Sequence, residues 1–174
     1  MGDLLFNFAE WLRGTFLVDL SLWISETALS TWIVTHFWTI PIMQVLHILA
    51  IAGSFAAVLM IAARIYGIAG HASLAETGHR YTRVLWWSLA ALVITGLGMI
   101  AGEPVRELIN PIFWIKMALV IIGTLVAVWF AASLRRQYHT GEVVQGSVKL
   151  TATFLVVLWC LIIAGGRWIA YAPV

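Results

Sequence analysis

Charge is what this chain has least of. Only 10% of its 174 residues are charged, 62% are hydrophobic, and the mean hydropathy is +0.96. A soluble globular domain is about a quarter charged, so a fold surrounded by water is excluded and the bilayer is the solvent. Cysteine is nearly absent too. The single Cys160 rules out an intrachain disulfide and any cluster of several thiolates. The net charge of +2 is small, and the cations form neither a run nor a stripe, so a nucleic-acid partner is not expected. No carboxylate falls in the middle of a hydrophobic segment, which argues against a carboxylate-based ion pump. Phosphate-cradling glycine loops, the serine nucleophile elbow, the zinc-protease His-Glu-x-x-His and the c-type haem attachment motif are all missing. The opening residues from Met1 to Leu5 have no basic region and no small-residue cleavage site, so no signal peptide is expected.

What is present is length and apolarity. Hydrophobic segments at 40–66, 84–101, 112–134 and 150–170 each approach or exceed the ~20 residues that a helical span needs. Turn formers separate them: Gly67, Gly70 and Gly78; Gly102, Pro104, Asn110 and Pro111; Gly141 and Gly146. Asn110-Pro111 reads as a helix cap followed by proline in the first turn. The predicted fold is all-α, an integral membrane four-helix bundle at 37–174, preceded by amphipathic surface helices at 1–36. In this arm Leu4, Phe8, Trp11 and Leu12 share one helical face, and Asp3, Asn7 and Glu10 share another, as in a helix lying on a membrane. A second surface helix is expected at 22–37.

The charges predict an orientation. Arg64, Arg80, Arg83, Arg135, Arg136 and Lys149 flank the first and third connections, with only Glu76 and Glu142 beside them. Asp3, Glu10, Asp19, Glu26, Glu103 and Glu107 lie on the other side with Arg13, Arg106, Lys116 and Arg167. Cytoplasmic loops carry the excess of Lys and Arg, which puts both termini on the periplasmic side of a bacterial inner membrane. Trp38, Phe113, Trp114, Trp168 and Tyr171 would ring the outer interface, and Trp86 and Trp87 the inner one.

An ionisable ring inside a span is costly, and such a residue is a functional candidate. His47 is that residue. Imidazole is a common ligand of haem iron and of metals. His36 lies eleven residues upstream, and one continuous helix would place the two rings about 20° and ~16 Å apart. Pro41 between them can bend the chain and bring them closer. Lys116 and Arg167 reach the same outer layer from two other spans. They either snorkel to water or meet an anion such as a haem propionate. Gln44 and Glu103 can hydrogen-bond the ring. Met99, Met117 and Met43 offer thioether ligands, although methionine in a helix commonly fills core space. His71, His79 and His139 read as loop histidines on the inner side, or as a second cofactor or metal site. Gly53, Ala57, Gly98, Gly102, Gly165 and Gly166 permit close helix contact or the approach of a flat cofactor.

Three stretches carry a resemblance: Trp38 to Gly53, Asn110 to Met117 and Gly166 to Tyr171. They resemble an uncharacterised bacterial family of small four-helix membrane proteins, a domain of unknown function. The matching anchors are Pro41, His47, Asn110, Pro111, Lys116, Gly166, Arg167 and Tyr171. The resemblance implies the four-helix membrane fold and no particular activity. A looser likeness is to membrane b-type cytochromes and to copper-resistance membrane proteins, which also place histidines in small helical bundles. This chain departs from the four-helix cytochromes because its second, third and fourth spans hold no interior histidine. The second axial ligand would then be His36, a methionine, or a residue of a neighbouring subunit.

The expectation is a membrane protein that binds haem b through His47 in its outer half and transfers electrons, with quinol or a periplasmic redox partner. One alternative is copper or other metal handling by His36, His47 and Met43 or Met99, since Cu(I) favours imidazole and thioether ligands. Another is a non-enzymatic scaffold. A homo-oligomer in contact with membrane lipid is compatible with each.

Overall fold

The structure is a computed structural model that describes residues 2–68, 73–140 and 146–169, with side chains from 4 to 136 and from 146 onward within those ranges. His71, Glu142, Tyr171, Gly70 and Gly141 lie outside the described residues, as do the side chains of Asp3 and His139. The fold is all-α. Among the described residues there are eight helices and no strand: α1 Gly2–Arg13, α2 Leu17–Ser25, α3 Ala28–Thr35, α4 Thr39–Ile65, α5 Leu74–Gly102, α6 Pro104–Leu108, α7 Pro111–Thr140 and α8 Gly146–Trp168. Four of them, α4, α5, α7 and α8, are long and apolar enough to cross a membrane, which describes a multi-pass membrane protein.

The helix ends follow from local chemistry. α4 stops at Gly67, whose φ of 73° suits only a residue without a side chain. Gly67 N–H donates to the Arg64 carbonyl and Ile68 N–H to the Ala63 carbonyl, the paired bonds of a Schellman end. α5 begins in a reciprocal box: Glu76 N–H donates to Ser73 Oγ, while the Ser73 N–H and hydroxyl both donate to Glu76 Oε2. α7 begins as the sequence predicts. Asn110 Oδ1 accepts from Ile112 N–H at 2.9 Å, with Pro111 in the first helical position.

Two expectations about the N-terminal region change. The single helix foreseen at 22–37 is two helices, α2 and α3, bent 64° apart. Thr27 makes the break by accepting from Ser30 N–H as the N-cap of α3. Pro41 does not bend a helix that carries both histidines. It falls in the first turn of α4, where its missing N–H costs nothing, and His36 ends α3 in an extended conformation.

The chain packs as two compact units. The first comprises 1–49, 91–118 and 164–174, the second 50–90 and 119–163. In the first, α2 packs on α6. Leu108, Phe113 and Ile169 form a core there, with Ile24, Ile100, Ile112, Trp114 and Met117 against it. Trp114 Nε1 donates to the Leu108 carbonyl, and the fully buried Asn110 donates its amide to the Ile169 carbonyl at 3.3 Å. In the second unit, Ala57, Ile61, Leu85, Ala127, Phe130, Leu134, Leu155 and Trp159 are among the core residues. Trp159 Nε1 donates to Ser54 Oγ, and the Tyr66 hydroxyl lies 2.7 Å from that of Thr153.

Several of the small residues serve helix contact. A Cβ on Gly98 would meet Met43, and one on Gly102 would meet Ile33 and Ile40 at 3.1 Å. Removing the Asn110 side chain strips α7 of its cap and leaves the Ile169 carbonyl without that donor. Asn110→Ala is expected to lose about 2 kcal/mol of stability, measured by thermal unfolding in detergent, and Asn110→Asp to lose less because it keeps the cap.

Candidate functional site

His47 lies in the third turn of α4, half-buried in the first unit. Its Nδ1 is 2.7 Å from Thr95 Oγ1 on α5. The Thr95 hydroxyl is also 2.7 Å from the Ala91 carbonyl. A carbonyl only accepts, so the single hydroxyl proton is spent on Ala91 and Thr95 can offer His47 only a lone pair. The hydrogen bond therefore runs from His47 Nδ1–H to Thr95. In the neutral ring Nε2 then carries no proton and keeps its lone pair available. This is the arrangement found in ligating histidines, where a hydrogen bond at one ring nitrogen fixes the tautomer and raises the basicity of the other. The ring lies against α5 at Gly96, where an added Cβ would come within 3.6 Å of His47 Cε1.

Lys116 reaches the same unit from α7. Its stem runs along α8, with Cβ and Cδ 3.9 and 3.8 Å from where Cβ atoms on Gly165 and Gly166 would stand. Its ammonium sits 5.3 Å from the centre of the buried Phe113 ring. It is within electrostatic reach of both His47 and Glu107. Burial pushes the Glu107 carboxyl above the ordinary 4.5, Lys116 and Arg106 oppose this, and Glu103 adds to it. Glu103 itself is paired with Arg106 at 2.6 Å. Arg167 is exposed in the last turn of α8.

None of the remaining sequence candidates is hydrogen-bonded to His47 among the described residues. His36 is exposed, with Nδ1 bonded to the Trp32 carbonyl at 2.7 Å and its ring 4.6 Å from that of Trp32. Gln44 is exposed. Met99 is half-buried one turn beyond Thr95, and Met117 packs against the Leu108 core. Among the described residues no group of three or more His, Cys, Asp or Glu is placed to hold a metal ion. The sequence reading missed Thr95 and the half-buried Glu107. Thr95 carried a signal, being a hydroxyl inside an apolar span.

Comparison with protein-family models, with curated proteins and with solved structures finds no match to this chain.

Two outcomes follow from this geometry. Thr95→Val removes the acceptor of His47 and is expected to cost roughly 1 kcal/mol in unfolding experiments, while Thr95→Ser restores it. For Glu107, the raised folded pKa means that the protonated form favours the fold. That stability is complete below 4.5 and is lost as pH rises through the folded value. Glu107→Gln is therefore expected to raise the melting temperature at neutral pH and to leave it unchanged in acid.

Proposed function

We propose that this protein binds haem b through His47 and carries electrons in a bacterial inner membrane. The observation that supports it most is the hydrogen bond from His47 Nδ1–H to Thr95, which leaves the Nε2 lone pair free to serve as a ligand. A bare ion asks the chain for several ligands. Haem brings four nitrogens of its own and asks for one or two, which suits a unit where a single histidine is prepared. When bound, the haem iron would supply a one-electron couple.

The chain's own residues have separate tasks in this reading. Thr95 and Gly96 hold the ring in place against α5. Lys116 and Arg167 would bind propionates, with Gly165 and Gly166 leaving room for the Lys116 stem. His36 or Met99, or a residue from a neighbouring copy, would supply a second ligand. Charge supports the orientation: six of the ten basic residues and only two of the eight acids fall in the second unit. By the positive-inside rule this excess supports a cytoplasmic side for the loops that carry it and a periplasmic side for both termini, where quinol or a periplasmic protein would exchange electrons.

The test is a visible spectrum and pyridine haemochrome of the purified full chain. A Soret band is expected in the parent, lost in His47→Ala and weakened in Lys116→Ala. A colourless protein would overturn the reading, as would copper in place of iron, or a Soret band unchanged in His47→Ala.

A further inference from the structure

A second site lies in the other unit and owes nothing to His47. α5 and α7 enclose a groove of about 260 Å³ lined by Gly78, His79, Thr82, Arg83, Trp86, Trp87, Ala131 and Arg135. Its cations are Arg83 and Arg135, both exposed. Neither makes an ion pair or hydrogen bond among the described residues. Two other charges on α5 are already engaged. The Arg80 guanidinium lies over the Tyr81 ring at 5.8 Å, and the Glu76 carboxylate is held by Ser73 at the start of α5. No described carboxylate lines the groove, so among the described residues its two guanidinium groups face a shared space with no counter-charge.

Guanidinium groups bind phosphate through paired N–H donors, and the Thr82 hydroxyl adds a further polar group to the lining. The walls then turn apolar. Trp87 is exposed beside the arginines, and on α7 the exposed Val128 and Leu125 follow Ala131 at three-residue steps along the helix. A soluble phosphate has no use for that wall, whereas a lipid has an acyl chain to lay along it. Tryptophan beside a cation is also the pattern of a membrane–water interface.

The geometry points to this groove as a site for an anionic phospholipid, its phosphate diester between Arg83 and Arg135 and its acyl chain on the apolar side of α7. Basic pockets between spanning helices take such headgroups. The site makes no use of haem and stands whether or not His47 ligates iron.

Native mass spectrometry of the full chain, with phosphatidylglycerol and phosphatidylcholine of identical acyl chains, provides the test. The parent is expected to retain phosphatidylglycerol over phosphatidylcholine by on the order of twentyfold, from two cations at the surface. Arg83→Gln with Arg135→Gln is expected to abolish the preference, and Arg136→Gln, which removes an exposed charge outside the groove, to preserve it. Equal retention of the two lipids in the parent would overturn the proposal, and so would a preference that Arg136→Gln reduces as much as the double variant. Displacement of bound phosphatidylglycerol by millimolar inorganic phosphate would refute the lipid as the source of the phosphate.

Discussion

A helix in hydrocarbon has no water to satisfy its side chains, so every polar group in a span must find its partner within the protein. The internal organisation of this molecule follows from that constraint. Ser54 meets Trp159, Tyr66 meets Thr153, Asn110 meets the Ile169 carbonyl, and His47 meets Thr95. Each bond joins segments far apart in sequence, and each fixes how two helices face one another. The apolar surface packs but does not choose a register, because lipid tails compete with leucine on equal terms. The few polar groups therefore supply much of the specificity.

His47 differs from the others in what remains after its bond is made. A tryptophan N–H has nothing further to offer, and Asn110 is used at both ends. The imidazole is satisfied at Nδ1 and still presents a lone pair at Nε2. A scaffold that only needed to tolerate the ring would gain by using both nitrogens. Lys116 and Glu107 deepen the contrast. They place one cation and one half-buried carboxyl in the same unit, and both are costly to hold partly away from water. Lys116 is thus in electrostatic reach of both His47 and Glu107 within one unit.

Much of the architecture was legible because it rests on local signals. The apolar lengths marked the four spans, and Asn110-Pro111 marked the start of α7. His36 and His47 were harder. Their spacing fits one continuous helix, and Pro41 between them invites a bend, but proline is equally at home in a first helical turn and α4 simply begins there. The break between α2 and α3 turned on Thr27 choosing to cap a helix rather than continue one. Thr95 could not be matched to His47 from sequence, since their pairing depends on how α4 and α5 face each other. Glu107 looked like a surface acid, and only the packing of its surroundings makes it a half-buried one.

The account stands on which nitrogen of His47 carries the proton. Nitrogen-15 NMR of the full chain labelled at histidine, assigned by comparison with His47→Ala, reads this directly. A proton on Nδ1 with Nε2 unprotonated or bound to iron is the predicted result. A proton on Nε2 in the protein as purified would mean that Thr95 donates rather than accepts, and the ligand role of His47 would fall with it.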